Sequence, residues 1–529
     1  MKNPTCLIVI TLLLAVSSLS AATLYVSLES TNPTPPYATW ATAAANIQDA
    51  VDAAAAGDEV IVTNGTCAAG GRAVGTNVLA NRVAMDKPLT LTSVNGPKFT
   101  VIQGYQLPGA ITGDGAIRCV YLTSGASLSG FTLTNGATRP VLGDDGNGGG
   151  LWCASATAVV SNCVLSGNSA YDGVGGASGG TLYNCTLTDN SGGASGGRLY
   201  DCTLTNNSGG GARNCTLNNC DLTGNSVDSK FGYGAGAWNC TLSNCTLSGN
   251  SAGTGAGASG CTLYNCVLSG NWSRFAGGAD GSTLYNCTLC GNEALQAWYM
   301  SGAGGASDCT LYNSIVYFNT SGAGTFESDW AGCTLNYCCA PGISPTNGVG
   351  NITNAPLFVD YASGDLRLQP YSPCIDAGNN AYVSGATDLA GRPRIVNHTV
   401  DIGAYEFTGP FDAWLAQYGL PTDGSADFVD TDGDGMNNWQ EYIAGTDPTN
   451  PLSVLRLLSA TPSGANVTVM WQSVAGVSYF LERSTNLSVS PPFTLLATNL
   501  PGQPGTTSYK DTNATGAGPF FYRVGVKYP

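Results

Sequence analysis

From Ser161 to Cys339 the chain alternates apolar and polar positions in very short runs, and one run keeps returning. In Cys261-Thr262-Leu263-Tyr264-Asn265-Cys266-Val267-Leu268, Cys261 and Leu263 lie two apart, as do Cys266 and Leu268. Side chains two apart on a strand share a face, so each pair predicts a short strand turned toward one interior. Leu263 and Cys266 are three apart, which requires a bend at Tyr264-Asn265. A second bend is predicted at Ser269-Gly270-Asn271, and Gly277-Gly278-Ala279 supplies a third face with little side chain. The phrase Leu-Tyr-Asn-Cys-Thr-Leu-Ser-Gly-Asn has clear copies at Leu182, Leu263 and Leu284, with looser ones at Leu199, Leu242, Leu311 and Leu335. Its cysteine recurs at Cys163, Cys185, Cys202, Cys220, Cys245, Cys266, Cys287 and Cys338, with Ser314 in the missing place, about every 22 residues.

So short a repeat, rich in Gly and Asn, predicts coils stacked about 4.8 Å apart, each burying its face against the next. The expected fold is all-β, a three-faced parallel β-helix with inner ladders of Cys and Leu. A corner ladder of Asn184, Asp201, Asn219, Asn244, Asn265, Asn286 and Asn313 suits the left-handed conformation and rung-to-rung amide bonding, which is a structural role. Ahead of the coils, Thr23-Leu24-Tyr25-Val26-Ser27 alternates as a strand. Residues 43–56 read as a helix with Ile47, Ala50, Val51 and Ala54 on one face, placed to cap the open end of the stack. The expected domains are a cap at 23–60, the β-helix at 61–340, its C-terminal end at 341–408, a calcium-binding linker at 409–452 and a small β-sandwich at 453–529. In the last of these, residues 467–471 and 520–526 alternate as strands.

A net charge of −16 with a single His argues against nucleic acid as a partner, because a phosphate backbone needs a basic face. Lys2, the apolar run 7–16 and small residues at Ser20 and Ala22 predict a secretory signal peptide over residues 1–22. A secreted or cell-surface location follows. No other segment is long and apolar enough to span a membrane. A monomer is expected. Once Cys6 is removed, nineteen of the 20 cysteines remain. In-register neighbours on parallel strands seldom meet disulfide torsions, so the ladder cysteines read as small buried hydrophobes. Cys338, Cys339 and Cys374 are the better disulfide candidates. Zinc is not expected, given one His and no Cys-x-x-Cys pair.

The strongest chemical motif is Asp430-Thr431-Asp432-Gly433-Asp434-Gly435-Met436-Asn437-Asn438-Trp439-Gln440-Glu441, a complete D-x-D-x-D-G-x5-E pattern. Hard cations take oxygen ligands, so calcium is the expected cofactor. Asp430, Asp432 and Asp434 offer carboxylates, Met436 its carbonyl, Asn438 a direct or water-borne contact, and Glu441 a bidentate carboxylate. Short helices are expected at 411–418 and from Trp439. With Gly445-Thr446-Asp447-Pro448, the segment resembles calcium modules of the thrombospondin type 3 and dockerin kind, in a single copy.

Further phrases carry a second resemblance. These are Tyr37-Ala38-Thr39-Trp40-Ala41-Thr42, Asn46-Ile47-Gln48-Asp49-Ala50, Ser372-Pro373-Cys374-Ile375-Asp376-Ala377-Gly378, Asp388-Leu389-Ala390-Gly391-Arg392-Pro393-Arg394 and Asp401-Ile402-Gly403-Ala404-Tyr405-Glu406. With the coils they resemble secreted bacterial right-handed parallel β-helix proteins with a choice-of-anchor Q segment. That resemblance implies the fold of pectate lyases, export and a cell-surface setting, and it implies no particular activity. The last domain resembles a fibronectin type III module.

A polysaccharide lyase of this fold needs a base beside calcium-holding acids. Between residues 150 and 340 the bases are Arg198, Arg213, Lys230 and Arg274, which form no recurrent cluster. Polygalacturonase-like hydrolases need several carboxylates and a Gly-His-Gly phrase, and His398 is the sole His. Asp144-Asp145 is the best adjacent carboxylate pair, in a glycine-rich loop. Asp376, Asp388, Arg392, Arg394 and Asp401 read as ion pairs and turn caps. Trp272, Trp298, Tyr299 and Trp330 lie outside the ladder positions and are candidate sugar-stacking residues. The expected function is non-catalytic: binding extracellular polysaccharide, or a structural or adhesive role at the cell envelope. A polysaccharide lyase or glycoside hydrolase acting on acidic glycans is the alternative, and a self-associating adhesin is the second.

Overall fold

The computed structural model describes residues 21–228, 232–295, 302–322, 326–327, 329–396, 398–422, 424–489, 491–514 and 518–526. Trp298, Tyr299, Lys230 and nearly all of the expected signal peptide lie outside the described residues. The chain divides into two compact units. The first takes in residues up to Pro356 together with Ala377–Leu389 and Asp401–Tyr405. The second is Leu357–Asp376, Ala390–Val400 and Glu406–Pro529. The stretch 341–408 is therefore shared between them.

The first unit is the parallel β-helix. Among the described residues its first face runs through thirteen strands and its second and third faces through eleven each. Thr262–Tyr264 pairs in parallel with Thr241–Ser243 and Thr283–Tyr285, which aligns Leu242, Leu263 and Leu284 in one column. These leucines are wholly buried, as are Leu222, Leu247, Leu268 and Leu289 of the second face. The stack already begins at Thr23–Val26, which pairs with Glu59–Val62. Helix α1 (Ile47–Ala53) is shorter than the expected 43–56. Asn46 caps it, its side chain accepting the Asp49 N–H at 2.8 Å, and Ala44 is claimed by the sheet through a parallel bridge to Val26. Ile47, Ala50 and Val51 pack into the solenoid core as expected.

The corner asparagines behave as the sequence suggests. Asn184, Asp201, Asn219, Asn244, Asn265, Asn286 and Asn313 all take φ between 48° and 54°. Asn265 Nδ2 donates to Asn244 Oδ1 at 3.1 Å, one coil below. A second ladder lies inside the other corner: Asn168, Asn190, Asn207, Asn225, Asn250, Asn271, Asn292 and Asn319, all buried. Each amide repeats one pattern. The Asn225 N–H and Nδ2 both donate to Asn250 Oδ1, at 2.9 and 3.0 Å, while Nδ2 also reaches Leu204 O at 2.8 Å. The third face stays close because it has no side chains to spare. A Cβ on Gly236 would stand 2.4 Å from Gly257 O, and one on Gly257 would stand 2.5 Å from Gly278 O.

All nineteen described cysteines are buried free thiols, including Cys338, Cys339 and Cys374, so the disulfide expectation for those three is corrected. Cys338 joins the core ladder, its Sγ near Asn336 O at 3.4 Å. The Cys339 thiol reaches Asn354 O at 3.2 Å instead, so the adjacent sulfurs are committed to different partners. Ladder thiols such as Cys185 and Cys266 donate to the carbonyl two residues back, at 3.2 Å in both cases. Reaction of the native protein with a thiol-specific chromogenic disulfide is expected to give essentially no signal, and unfolding in denaturant to release all nineteen thiols. Fast stoichiometric reaction of the native state would contradict this burial.

Residues 377–389 form a strap over the corner of the later coils. Asn379 N donates to Asn313 Oδ1 (2.8 Å), Asn265 Nδ2 donates to Thr387 O (3.0 Å), and the Tyr382 ring sits 4.4 Å from that of Tyr312. The second unit contains helix α2 (Gly409–Gln417), helix α3 (Asn438–Ala444) and two three-stranded antiparallel sheets. In the first sheet Asn466–Ser473 is central, and in the second Ser478–Ser484. Val467, Val469 and Trp471 of the first sheet and Tyr479 and Leu481 of the second share one buried cluster.

Candidate calcium loop and outward aromatic residues

The loop 430–441 is shaped by its own carboxylates. Asp430 Oδ1 accepts from Gly433 N at 2.8 Å and Asp434 N at 3.2 Å, and its Oδ2 accepts from Gly435 N at 2.9 Å. Asp434 Oδ1 accepts from Met436 N at 2.8 Å. Gly435 takes φ +97°, which the tight turn requires. Asn437 then starts α3 with a reciprocal capping box to Gln440. The result places one oxygen from each of Asp430, Asp432 and Asp434 within 4.8 Å of the others.

Glu441, wholly buried on α3, faces the same charges. Burial, then the Asp432 and Asp434 carboxylates, push its pKa up to about 7. One of its oxygens accepts from Thr446 Oγ1 at 3.3 Å. The other is buried without a hydrogen-bond partner, as are Asp432 Oδ2 and Asp434 Oδ2. Buried carboxylate oxygens without partners are costly unless a cation meets them. An all-oxygen anionic donor set of this kind fits a hard divalent ion such as calcium.

Asn438 is held by the frame. Its Oδ1 accepts from Thr431 Oγ1 at 2.9 Å and its Nδ2 donates to Ala426 O at 2.8 Å. Met436 Sδ accepts from Leu455 N at 3.3 Å, which ties the loop to the chain entering the C-terminal sheets. Sequence reasoning missed the brace beneath the loop. Arg392 Nε donates to Asp427 Oδ2 at 2.7 Å and its Nη2 to Asp412 Oδ1 at 3.2 Å. The Asp427 carbonyl in turn accepts from Trp439 N at 2.9 Å. Arg394 lies 3.7 Å from Glu406, both almost wholly buried, so the two arginines serve ion pairs inside the second unit. Asp388 and Asp401 are buried in the first unit.

The other candidates sit apart from this loop in the sequence. Trp272 is 47 % exposed on a short side sheet, paired with Ser251 and Glu293. Trp330 aligns with the inward Ala306 at the end of the third face, packs on the core and donates from Nε1 to Pro341 O at 2.9 Å. Asp145 braces its own loop. Its Oδ2 accepts from Val78 N (2.9 Å) and Leu79 N (3.2 Å) and lies 3.5 Å from Arg139. Arg118 is buried beneath, donating to the carbonyls of Asp144, Asn147 and Gly148. A more regular feature is the column of tyrosines on the first face. Tyr183 stacks on Tyr200 with ring centroids 5.0 Å apart, and Tyr264, Tyr285 and Tyr312 stack at 5.0 and 4.9 Å. These tyrosines stand in the repeated phrase itself, where the sequence marks them only as a bend.

Among known proteins, the bacterial TSP3 repeat family matches residues 430–451. No curated protein matches the chain. Solved structures similar to it include the pectate lyase Pel9A, at 14 % identity, 74 % of this chain, 98 % of that one and a TM-score of 0.39. XylC in complex with xylose matches at 10 % identity, 73 % and 99 % coverage and 0.41. A rhamnogalacturonan lyase matches at 14 % identity, 76 % and 100 % coverage and 0.38. Among the described residues no helix is long and apolar enough to cross a membrane.

Proposed function

We propose that this chain is an exported, calcium-stabilised β-solenoid that holds extracellular polysaccharide at or near the cell surface without cleaving it. The observation that carries this reading is the outward surface of the first face, where Thr, Ser, Asn and Tyr recur in register through most of the coils. Hydroxyls, amides and phenols spaced by one coil, about 4.8 Å, offer a polymer the same partners again and again. Asp145 and Arg118, the charged groups nearest to a catalytic arrangement in the coils, are committed to holding their loop. Calcium belongs to the second unit, where the chain resembles a thrombospondin type 3 repeat. The antiparallel sheets that follow it in the chain fit a fibronectin-like sandwich.

The test is a glycan screen of the full chain with and without calcium, following both retention and new reducing or unsaturated ends. Retention without product release is expected. Product release would make the protein an enzyme and overturn the proposal.

One observation favours self-association as a second reading. The strand Leu457–Ser463 lies at a sheet edge, is exposed along its whole length and carries Leu457 and Leu458. Open strand edges pair readily with other chains. Concentration-dependent assembly without glycan retention would support it.

A further inference from the structure

Stacked tyrosines are poor sugar platforms. Ring faces pressed together leave only their edges and hydroxyls to solvent. The ladder on the first face is broken at one place. Its column reads Tyr183, Tyr200, Asn218, Ser243, Tyr264, Tyr285 and Tyr312 in register. Tyr183 covers one face of Tyr200, and Tyr285 covers one face of Tyr264. The remaining face of each borders the gap over Asn218 and Ser243. Tyr200 and Tyr264 are three rungs apart, so their planes stand about 14 Å apart at ~4.8 Å per rung. A ring stacked on each at van der Waals distance, about 4 Å, would still leave roughly 6 Å between the two.

The floor and rim of this notch differ from the rest of the face. Thr216 and Thr241 are exposed, and Asn218 and Ser243 half-exposed, so the floor is made of hydroxyls and one amide. Arg198 is exposed two residues before Tyr200 and on the same side of its strand, where the adjacent coils carry Thr181 and Thr216. Arg213 belongs instead to the third face, beyond the Asn214 corner, with its guanidinium 4.6 Å over Trp238 of the same face. Arg198 thus sets a cation beside Tyr200 on a chain of net charge −16. Asp201, the nearest acid on the corner, accepts from Asn219 Nδ2 at 3.2 Å. The strap meets the upper wall at Asn265, whose Nδ2 donates to Ser384 O and Thr387 O.

We infer that this notch is the glycan-binding site, and that it takes a carboxylated oligosaccharide. A pyranose ring stacks on Tyr200 or Tyr264, its hydroxyls meet the polar floor, and its carboxylate faces Arg198. This rests on the proposed glycan-holding function and assigns it a place and a charge class.

Calorimetric titration of the full chain tests it, with trigalacturonic acid and its methyl ester as probes. The variant N218Y/S243Y completes the ladder. It is expected to fold, because the new rings stack as Tyr264 and Tyr285 already do, and to weaken acid binding at least about tenfold. Arg198→Gln is expected to weaken binding of the acid about three- to tenfold and leave the weaker binding of the ester unchanged. Unaltered binding by folded N218Y/S243Y would overturn the site while sparing the glycan-holding function. Equal wild-type affinity for acid and ester would overturn the charge class. If the wild type retains no glycan in the screen or in the titration, the function and the site fall together.

Discussion

Asn250→Ala is expected to destabilise the solenoid by about 3 kcal/mol or more, because it orphans several buried groups at once. Asn250 Oδ1 accepts both the Asn225 N–H and its Nδ2, and Asn250 Nδ2 donates to Leu222 O at 2.9 Å and to Asn271 Oδ1. Removing the amide leaves a backbone donor, a side-chain donor and a carbonyl in a dry corner, each costing about 1–3 kcal/mol when unpaired. The outer ladder makes the contrast. Asn244 supplies a left-handed φ of 52° and accepts from Asn265 at the surface, so Asn244→Gly should change stability by less than about 1 kcal/mol. Denaturant unfolding compares the two variants, and hydrogen exchange at the Asn225 amide localises the damage. Because coils contact chiefly their neighbours, early exchange confined to that corner is expected before global unfolding. Equal costs for the two variants would refute the distinction between the ladders.

Both ladders occupy the same repeated phrase, yet only one was legible as such in the sequence. The outer asparagine precedes the repeated cysteine, and its spacing alone demands a bend there. The inner one follows Ser-Gly, where the pattern marks a turn and says nothing of which way the side chain points. Burial of a primary amide is favourable only when every donor and acceptor finds a partner, and those partners come from coils about twenty residues away. No local pattern encodes that. The same reason hid the tyrosine ladder, since stacking is a relation between rungs. The strand periodicity of Cys and Leu, by contrast, is a local property, and it placed the first two faces correctly. The cap helix was overextended because a run of alanines has helix propensity wherever it stands, whereas Ala44 is drawn into a bridge with Val26 by the sheet. For the loop at 430–441 the three clustered aspartates were legible from spacing. Its support was not: Arg392 and Asp427 are 35 residues apart, and only the fold joins them.

Calcium removal should reveal that loop as a switchable brace of the second unit. Saturating calcium is expected to stabilise this unit by about 2.7 kcal/mol at a free concentration one hundred times Kd, and a chelator to remove that gain. The pH dependence follows from Glu441. Its folded pKa, about 7 without a cation, lies above the 4.5 of a free glutamate. The cation-free fold therefore binds the extra proton between those values. Its stability falls as pH rises through that window, and the full penalty is present above pH 7. A cation needs the carboxylate ionised, so binding below pH 7 displaces one proton, and affinity should rise about tenfold per pH unit from roughly 5 to 7, then level off. Glu441→Gln separates the two effects. The neutral amide can still accept from Thr446 and carries no buried charge, so at pH 8 without calcium the variant should be more stable than the wild type. With calcium the order should reverse, because only the wild type gains. A thermal melt of both proteins at pH 8, with calcium and with chelator, reads this crossing directly. Parallel responses of the two proteins to calcium would mean that Glu441 holds no ion, and that the loop is an acidic turn stabilised by its own backbone hydrogen bonds.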